Sequence, residues 1–277
     1  MTQRRPSESE SADDLLTRLG RLAAQARAGA ELQHARVELA EALQREMLPA
    51  SLPALPGLST AACYAPARNG LDIGGDWYDG FPSADGTLGF SIGDVQGHDV
   101  EAAAFMGQIR IALRAVAAFA TDPGEALGQA NDLLLSMHRD LFATCSFLRF
   151  DPETRVLESA RAGHVPAIWA TVDGRFGICE DAGGLPLGML PATGYPVTRH
   201  RLTTPGAFVL VTDGVVEGPS FPIEAGLECV ARVVAAGAGA DAAELAAEVM
   251  KVADCTGHQD DAAVLVLRHD APSVLAG

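Results

Sequence analysis

Gly74-Gly75-Asp76-Trp77-Tyr78-Asp79 and, further on, Ile92-Gly93-Asp94-Val95-Gln96-Gly97-His98-Asp99 frame the stretch on which the fold turns. Between them, Asp85-Gly86 is a turn signal and Leu88-Gly89-Phe90-Ser91-Ile92 is an extended apolar run. The stretch reads as a strand end, a hairpin and a second strand end. It places two carboxylates, Asp76 and Asp94, each preceded by glycine, at neighbouring strand termini. Glycine lets backbone close in on whatever the acid holds. Oxygen-only ligands on loops suit a hard divalent cation, Mn²⁺ or Mg²⁺, rather than zinc.

Outward from this stretch the hairpin pattern repeats. Residues 143–150 and 155–161 flank Asp151-Pro152-Glu153-Thr154, and 165–172 and 175–179 flank Asp173-Gly174. Further strands are expected over 58–64, 72–78, 87–94, 197–202, 207–212 and 262–268. Helices come in pairs. One opens at Asp99 and carries Ala102, Phe105, Met106, Ile109 and Leu113 on one face, and the next starts at Asp122-Pro123. A second pair is expected over 227–236 and 241–253. Hairpins with paired helices favour an α+β fold over a doubly wound parallel one: a layered sandwich of antiparallel sheets with helices outside.

Upstream, residues 1–11 read as a disordered tail and 12–48 as a helix or helix pair, with Leu15, Leu19 and Leu22 in one register and Leu32, Leu39, Leu43 and Met47 in another beyond Gly29. This segment either packs on its own domain or forms a homodimer by coiled coil. Pro49, Pro53 and Pro56 end it, leaving 49–269 as the main domain and 270–277 as a tail.

The chain has 277 residues, 48% hydrophobic and 20% charged, with a net charge of −16. That charge argues against nucleic acid and anionic membrane surfaces. No apolar run reaches the length of a membrane span. Cys63, Cys145, Cys179, Cys229 and Cys255 are odd in number and widely spaced, which fits a reducing, cytoplasmic setting better than a disulfide or zinc framework.

Two more aspartates share the context of the first two. Asp213 closes Phe208-Val209-Leu210-Val211-Thr212, and Asp260 precedes the apolar run that begins at Ala262. Asp76, Asp94, Asp213 and Asp260 can therefore converge on one rim of a sandwich. Carboxylates gathered there repel unless cations neutralise them. A pair of ions about 3.5–4 Å apart, able to activate water and clamp a phosphoryl group, resolves the repulsion. Each aspartate alone also reads as a turn or cap residue; the set of four carries the argument.

The motifs Gly74–Asp79, Gly93–His98, Thr212-Asp213-Gly214-Val215-Val216-Glu217 and Asp260-Asp261, in that order, resemble the PPM family of metal-dependent serine/threonine phosphatases and, within it, the bacterial SpoIIE/RsbU-like branch. The resemblance covers residues 43–268 and includes Ala162-Gly163-His164. It implies an α-β-β-α sandwich. It also implies that Asp94 bridges two Mn²⁺ or Mg²⁺ ions with help from the Val95 carbonyl, that Asp76 binds one ion, and that Asp213 and Asp260 bind the other. Asp79 and Asp261 would stand behind these ligands. Water activated by the ions would attack phosphoserine or phosphothreonine directly, and the substrate would be a STAS-type anti-sigma-factor antagonist.

One position departs from the branch, whose Gly-His-Gly is here Gly97-His98-Asp99. Asp99 reads as a helix N-cap or as an extra acid that tunes metal affinity. His98 and His164 read as acid–base groups or as structural histidines. Two other functions compete: an inactive pseudophosphatase serving as a binding module, and a phosphohydrolase of small molecules. Retention of all four aspartates argues against the first, and substrate preference separates the second.

Overall fold

Among the described residues the hairpin pattern is realised as ten strands in two antiparallel sheets of five. The computed structural model describes residues 12–66, 74–97, 100–137, 141–219, 221–257 and 260–271. The first sheet has the order β1-β10-β9-β6-β7, from β1 (Leu58–Ala65), β6 (Ile168–Thr171), β7 (Phe176–Ile178), β9 (Gly206–Val211) and β10 (Ala262–His269). The second has the order β2-β3-β4-β5-β8, from β2 (Trp77–Pro82), β3 (Leu88–Val95), β4 (Ala143–Asp151), β5 (Val156–Ala162) and β8 (Thr198–Arg201). Helices α2 (Val100–Ala117) and α3 (Pro123–Ser136) cover the second sheet. Helices α5 (Ile223–Ala236) and α6 (Ala242–Thr256) cover the first. The expected α-β-β-α sandwich is thus borne out.

Period-two alternation assigns every strand residue to a layer. On β10, Val264 and Val266 face α5 and α6, while Ala263, Leu265 and Leu267 face the other sheet. On β9, Val209 and Val211 face the helices, and Phe208 and Leu210 face inward. On β3, Leu88, Phe90 and Ile92 lie between the sheets, which sets Asp94 on that same inner face at the strand's end. On β2, Trp77 and Phe81 face α2 and α3, whereas Tyr78 faces inward.

Helix α3 begins as its sequence dictates, with Asp122 Oδ1 accepting from the Glu125 N–H at 2.9 Å and Pro123 in the first turn. The strand expected over 72–78 lies later: β2 starts at Trp77, and Gly74–Asp76 are irregular. The reason is crowding. A Cβ on Gly74 would sit 1.5 Å from Asp261 Oδ2, and one on Gly75 would sit 2.5 Å from the Val95 carbonyl oxygen. These glycines slide under neighbouring chain where a ladder partner would not fit. A one-turn helix, α4 (Asp213–Val216), was not anticipated.

Helix α1 (Ala12–Met47) is one uninterrupted helix of 36 residues through Gly20 and Gly29. Leu15, Leu16, Leu19 and Leu22 along it are 45–65% exposed, and Met47 at its end packs against the α2 layer. No helix among the described residues is long and apolar enough to cross a membrane. All five cysteines are free.

Candidate metal centre

Antiparallel pairing brings four chain segments to one end of the sandwich. Trp77 at the start of β2 pairs with Gly93 near the end of β3, and Val264 near the start of β10 pairs with Val211 at the end of β9. Asp76, Asp94, Thr212–Asp213 and Asp260–Asp261 are the residues just at or beyond these ends. The four predicted aspartates therefore share one rim, and Asp261 joins them, buried on the inner face.

The acids sense one another. Burial pushes the Asp76 carboxyl well above its ordinary range, reinforced by the charges of Asp94, Asp261 and Asp213. Asp94 is pushed up to about 8 by burial and by Asp213, Asp260 and Asp261, with a hydrogen bond to Asp76 opposing. Asp213 is raised by burial and by Asp260. Among the described residues no three Asp, Glu, His or Cys side chains are arranged to hold one ion as they stand. Asp76 and Asp94 turn toward each other instead, the arrangement of two carboxyls that share a proton. The donor set nevertheless suits a hard divalent cation: all-oxygen, too negative for its degree of burial, with the Val95 carbonyl kept within reach by the missing side chain of Gly75. A cavity of about 410 Å³ opens beside Asp213, Asp260 and Glu217.

Neighbours fix these acids. Thr212, fully buried, donates its hydroxyl to Asp76 Oδ2 at 2.7 Å and accepts from the Ala263 N–H at 2.8 Å. It joins the two halves of the rim across the sheets. The Tyr64 hydroxyl bonds Asp261, and burial beside these acids raises its pKa far beyond the ordinary range. A Cβ on Gly214 would lie 1.9 Å from the Asp261 carbonyl oxygen, so Asp213 is followed by the one residue that fits. Thr212 and Tyr64 were missed as functional candidates. The Thr212-Asp213 motif was in view, but the reach of Thr212 to Asp76 spans 136 residues of chain.

Asp79, expected to stand behind the candidate ligands, turns away from the rim. It faces the helices with Trp77 and Phe81, and there it pairs with α2: Arg114 Nε and Nη2 reach its two oxygens at 2.6 Å each, and Arg110 Nε stands 3.3 Å away. Parity is the reason, since Asp79 lies three residues from Asp76 and so on the opposite face. His164 is fully buried, with Nδ1 at 2.8 Å from Thr144 Oγ1, and burial with nearby Arg161 lowers its pKa to about 3. It is a neutral imidazole at neutral pH, tying β4 to the loop after β5 directly beside Asp94, whose ladder partner is Thr144. His98 and Asp99 lie outside the described residues.

Two five-stranded antiparallel sheets between paired helices, with an aspartate rim on the inter-sheet face, define the PPM (PP2C-type) phosphatase class. The chain belongs to the SpoIIE family within it: the family described as Stage II sporulation protein E (SpoIIE) matches residues 84–270. It is 29% identical to Protein IcfG of Synechocystis, over 66% of this chain and 33% of that protein. It is 25% identical to Phosphoserine phosphatase RsbU of Bacillus subtilis, over 65% of this chain and 53% of that protein. The chain thus spans between a third and about half of these relatives. Among solved structures, the RsbU and RsbW domains of Rv1364c from Mycobacterium tuberculosis superpose with a TM-score of 0.72 at 32% identity, covering 82% of this chain and 64% of that one.

Proposed function

We propose that the chain is a Mn²⁺- or Mg²⁺-dependent protein phosphatase acting on phosphoserine and phosphothreonine of a partner protein, a STAS-type anti-sigma-factor antagonist, in the cytoplasm. The observation that carries this reading is the placement of Asp76, Asp94, Asp213 and Asp260 on one rim, at the neighbouring ends of β2, β3, β9 and β10. Membership of the SpoIIE family and the likeness to a phosphoserine phosphatase support it.

In this reading Asp94, Asp76 and the Val95 carbonyl, with Asp213 and Asp260, are the groups that would hold a pair of ions. Two such ions supply Lewis-acid stabilisation of the phosphoryl group and a nucleophilic water at neutral pH. Asp261, fixed by Tyr64, keeps the rim negative, and Thr212 orients Asp76. His164 neither gives nor takes a proton. The test is Mn²⁺-dependent release of phosphate from a phosphorylated STAS protein. A wild-type protein with metal bound but no activity refutes the proposal.

Thr212 supplies a graded check. Thr212→Val keeps the shape but removes the donor to Asp76, and outer partners of metal ligands typically account for about 10- to 100-fold in metal affinity or activity. A Mn²⁺ titration of activity should shift by that amount. An unchanged Mn²⁺ dependence removes Thr212 from the site.

Helix α1, with its exposed leucines, is proposed to pair with a second copy of itself. Deleting residues 1–48 should change the mass measured by light scattering or the basal activity. If both stay the same, the helix has neither role.

A further inference from the structure

Away from the aspartate rim, β8 of one sheet and β6, β9 and β10 of the other line a cavity of about 320 Å³. Six steps along β9 and its extension, from 207 to 213, separate it from the candidate metal ligands, about 20 Å at the rise of a strand. Its lining runs against the composition of the chain. Acidic residues outnumber Lys and Arg by 36 to 20 overall, yet this wall contains three arginines, two histidines and no carboxylate.

The cations are held in place. Arg175 Nε stands 3.1 Å from Asp173 Oδ2, and its Nη2 donates to Thr204 Oγ1 at 3.1 Å. Arg199 Nε donates to Glu158 Oε1 at 2.7 Å. A guanidinium has five N–H donors, so each anchored arginine keeps donors to spare. Arg201, two residues beyond Arg199 on β8, has no ion pair among the described residues. His269 is only 4% exposed, and among the described residues its Nδ1 has no hydrogen-bond partner; nor does Nε2 of His200. Buried polar atoms of this kind cost free energy until something satisfies them. The rest of the wall mixes Thr171, Thr203 and Thr204 with apolar side chains, among them two aromatic rings: Trp169 and Phe208, ladder partners on β6 and β9, with the His200 ring 5.5 Å from that of Phe208.

We propose that this cavity binds a small ring-bearing organic anion, its charged group on the arginines and imidazoles and its ring against Trp169 and Phe208. The volume lies in the range of small-molecule sites. The site is separate from the metal centre and stands whether or not the phosphatase reading does.

The full-length ¹⁵N-labelled chain carries its own reporters. Trp169 lines the cavity, and Trp77 lies at the rim end of β2. Titration with AMP at millimolar concentration should shift the Trp169 indole N–H saturably and leave that of Trp77 in place. Inorganic phosphate should do the same more weakly, and benzoate tells a carboxylate site from a phosphate site by binding more tightly than AMP or less. Arg201 is exposed, so Arg201→Gln keeps the fold, and it should weaken binding about tenfold through loss of a charge-assisted donor. His269→Gln should weaken it as well. A Trp169 resonance that stays still, shifts confined to Trp77, or shifts unchanged in Arg201→Gln overturn the proposal. AMP binding no tighter than phosphate overturns the ring-bearing ligand.

Discussion

Asp94→Asn removes about three orders of magnitude of Mn²⁺-dependent phosphate release and, in EDTA at pH 8, raises the melting temperature of the same protein by several degrees. The two effects have one origin. In the folded chain Asp94 titrates at about 8 because it is buried among Asp213, Asp260 and Asp261; unfolded, it titrates near 3.9. Between those values the native state keeps a proton that the unfolded state has lost. Stability therefore falls as pH rises through that window and is highest at its acid end. A cation competes for the same site as the proton. Melting temperature in EDTA should thus drop from pH 5 to pH 8, and Mn²⁺ should restore it chiefly at pH 8. Asparagine abolishes both the repulsion and the ligand, so it gains where the metal-free wild type loses and cannot respond to Mn²⁺. An asparagine variant that keeps its activity, or that melts lower than wild type in EDTA at pH 8, would sink the assignment of Asp94. Calorimetry across the pH series, with and without Mn²⁺, measures both arms.

The four aspartates were readable because each is marked locally, by a glycine beside it or by an apolar strand that it opens or closes. Their convergence followed once hairpins outnumbered crossovers. What needed the third dimension was anything set by facing. Asp76 and Asp79 belong to one motif and look alike in sequence, yet one lies on the inner rim and the other against α2. Had the register of β2 been fixed first, by Trp77 and Phe81 toward the helices, Asp79 would have followed. The start of β2 was misplaced because Gly74 and Gly75 answer to Asp261 and Val95, which are remote in sequence. Helix α4, four residues long, is too short for periodicity to reveal. The cationic cavity collects residues from four strands, and its arginines and histidines belong to no motif.

Arg114→Met should destabilise the protein by about 3 kcal/mol, and adding Asp79→Leu should return most of the loss. Asp79 is fully buried and meets the Arg114 guanidinium with both oxygens, while Oδ1 also accepts from the Gly80 N–H at 2.9 Å. Removing Arg114 leaves a buried carboxylate with the Gly80 N–H and, as its one cation among the described residues, Arg110, whose Nε is 3.3 Å away without hydrogen-bond geometry. The cost comes from stranding that charge, not from the part of Arg114 that solvent screens. Methionine preserves the apolar cover that Arg114 gives Phe81, whose ring centre is 5.1 Å from the guanidinium carbon. The single variant therefore tests electrostatics rather than packing. Leucine at 79 removes the stranded charge and adds apolar contact to Trp77 and Phe81, while Arg110, 14% exposed, loses its ion-pair partner, so the recovery falls short of complete. Urea unfolding of the wild type, both singles and the double closes a cycle whose coupling term is the strength of the pair. A single variant within about 1 kcal/mol of wild type, or a double no better than Arg114→Met, would show that Asp79 is not held by this pair. The result also bears on the site. The clamp ties β2, which begins one residue after Asp76, to the helix that follows the Asp94 segment. A chain weakened at Asp79 but normal in its Mn²⁺ requirement separates the strand's anchor from its ligand.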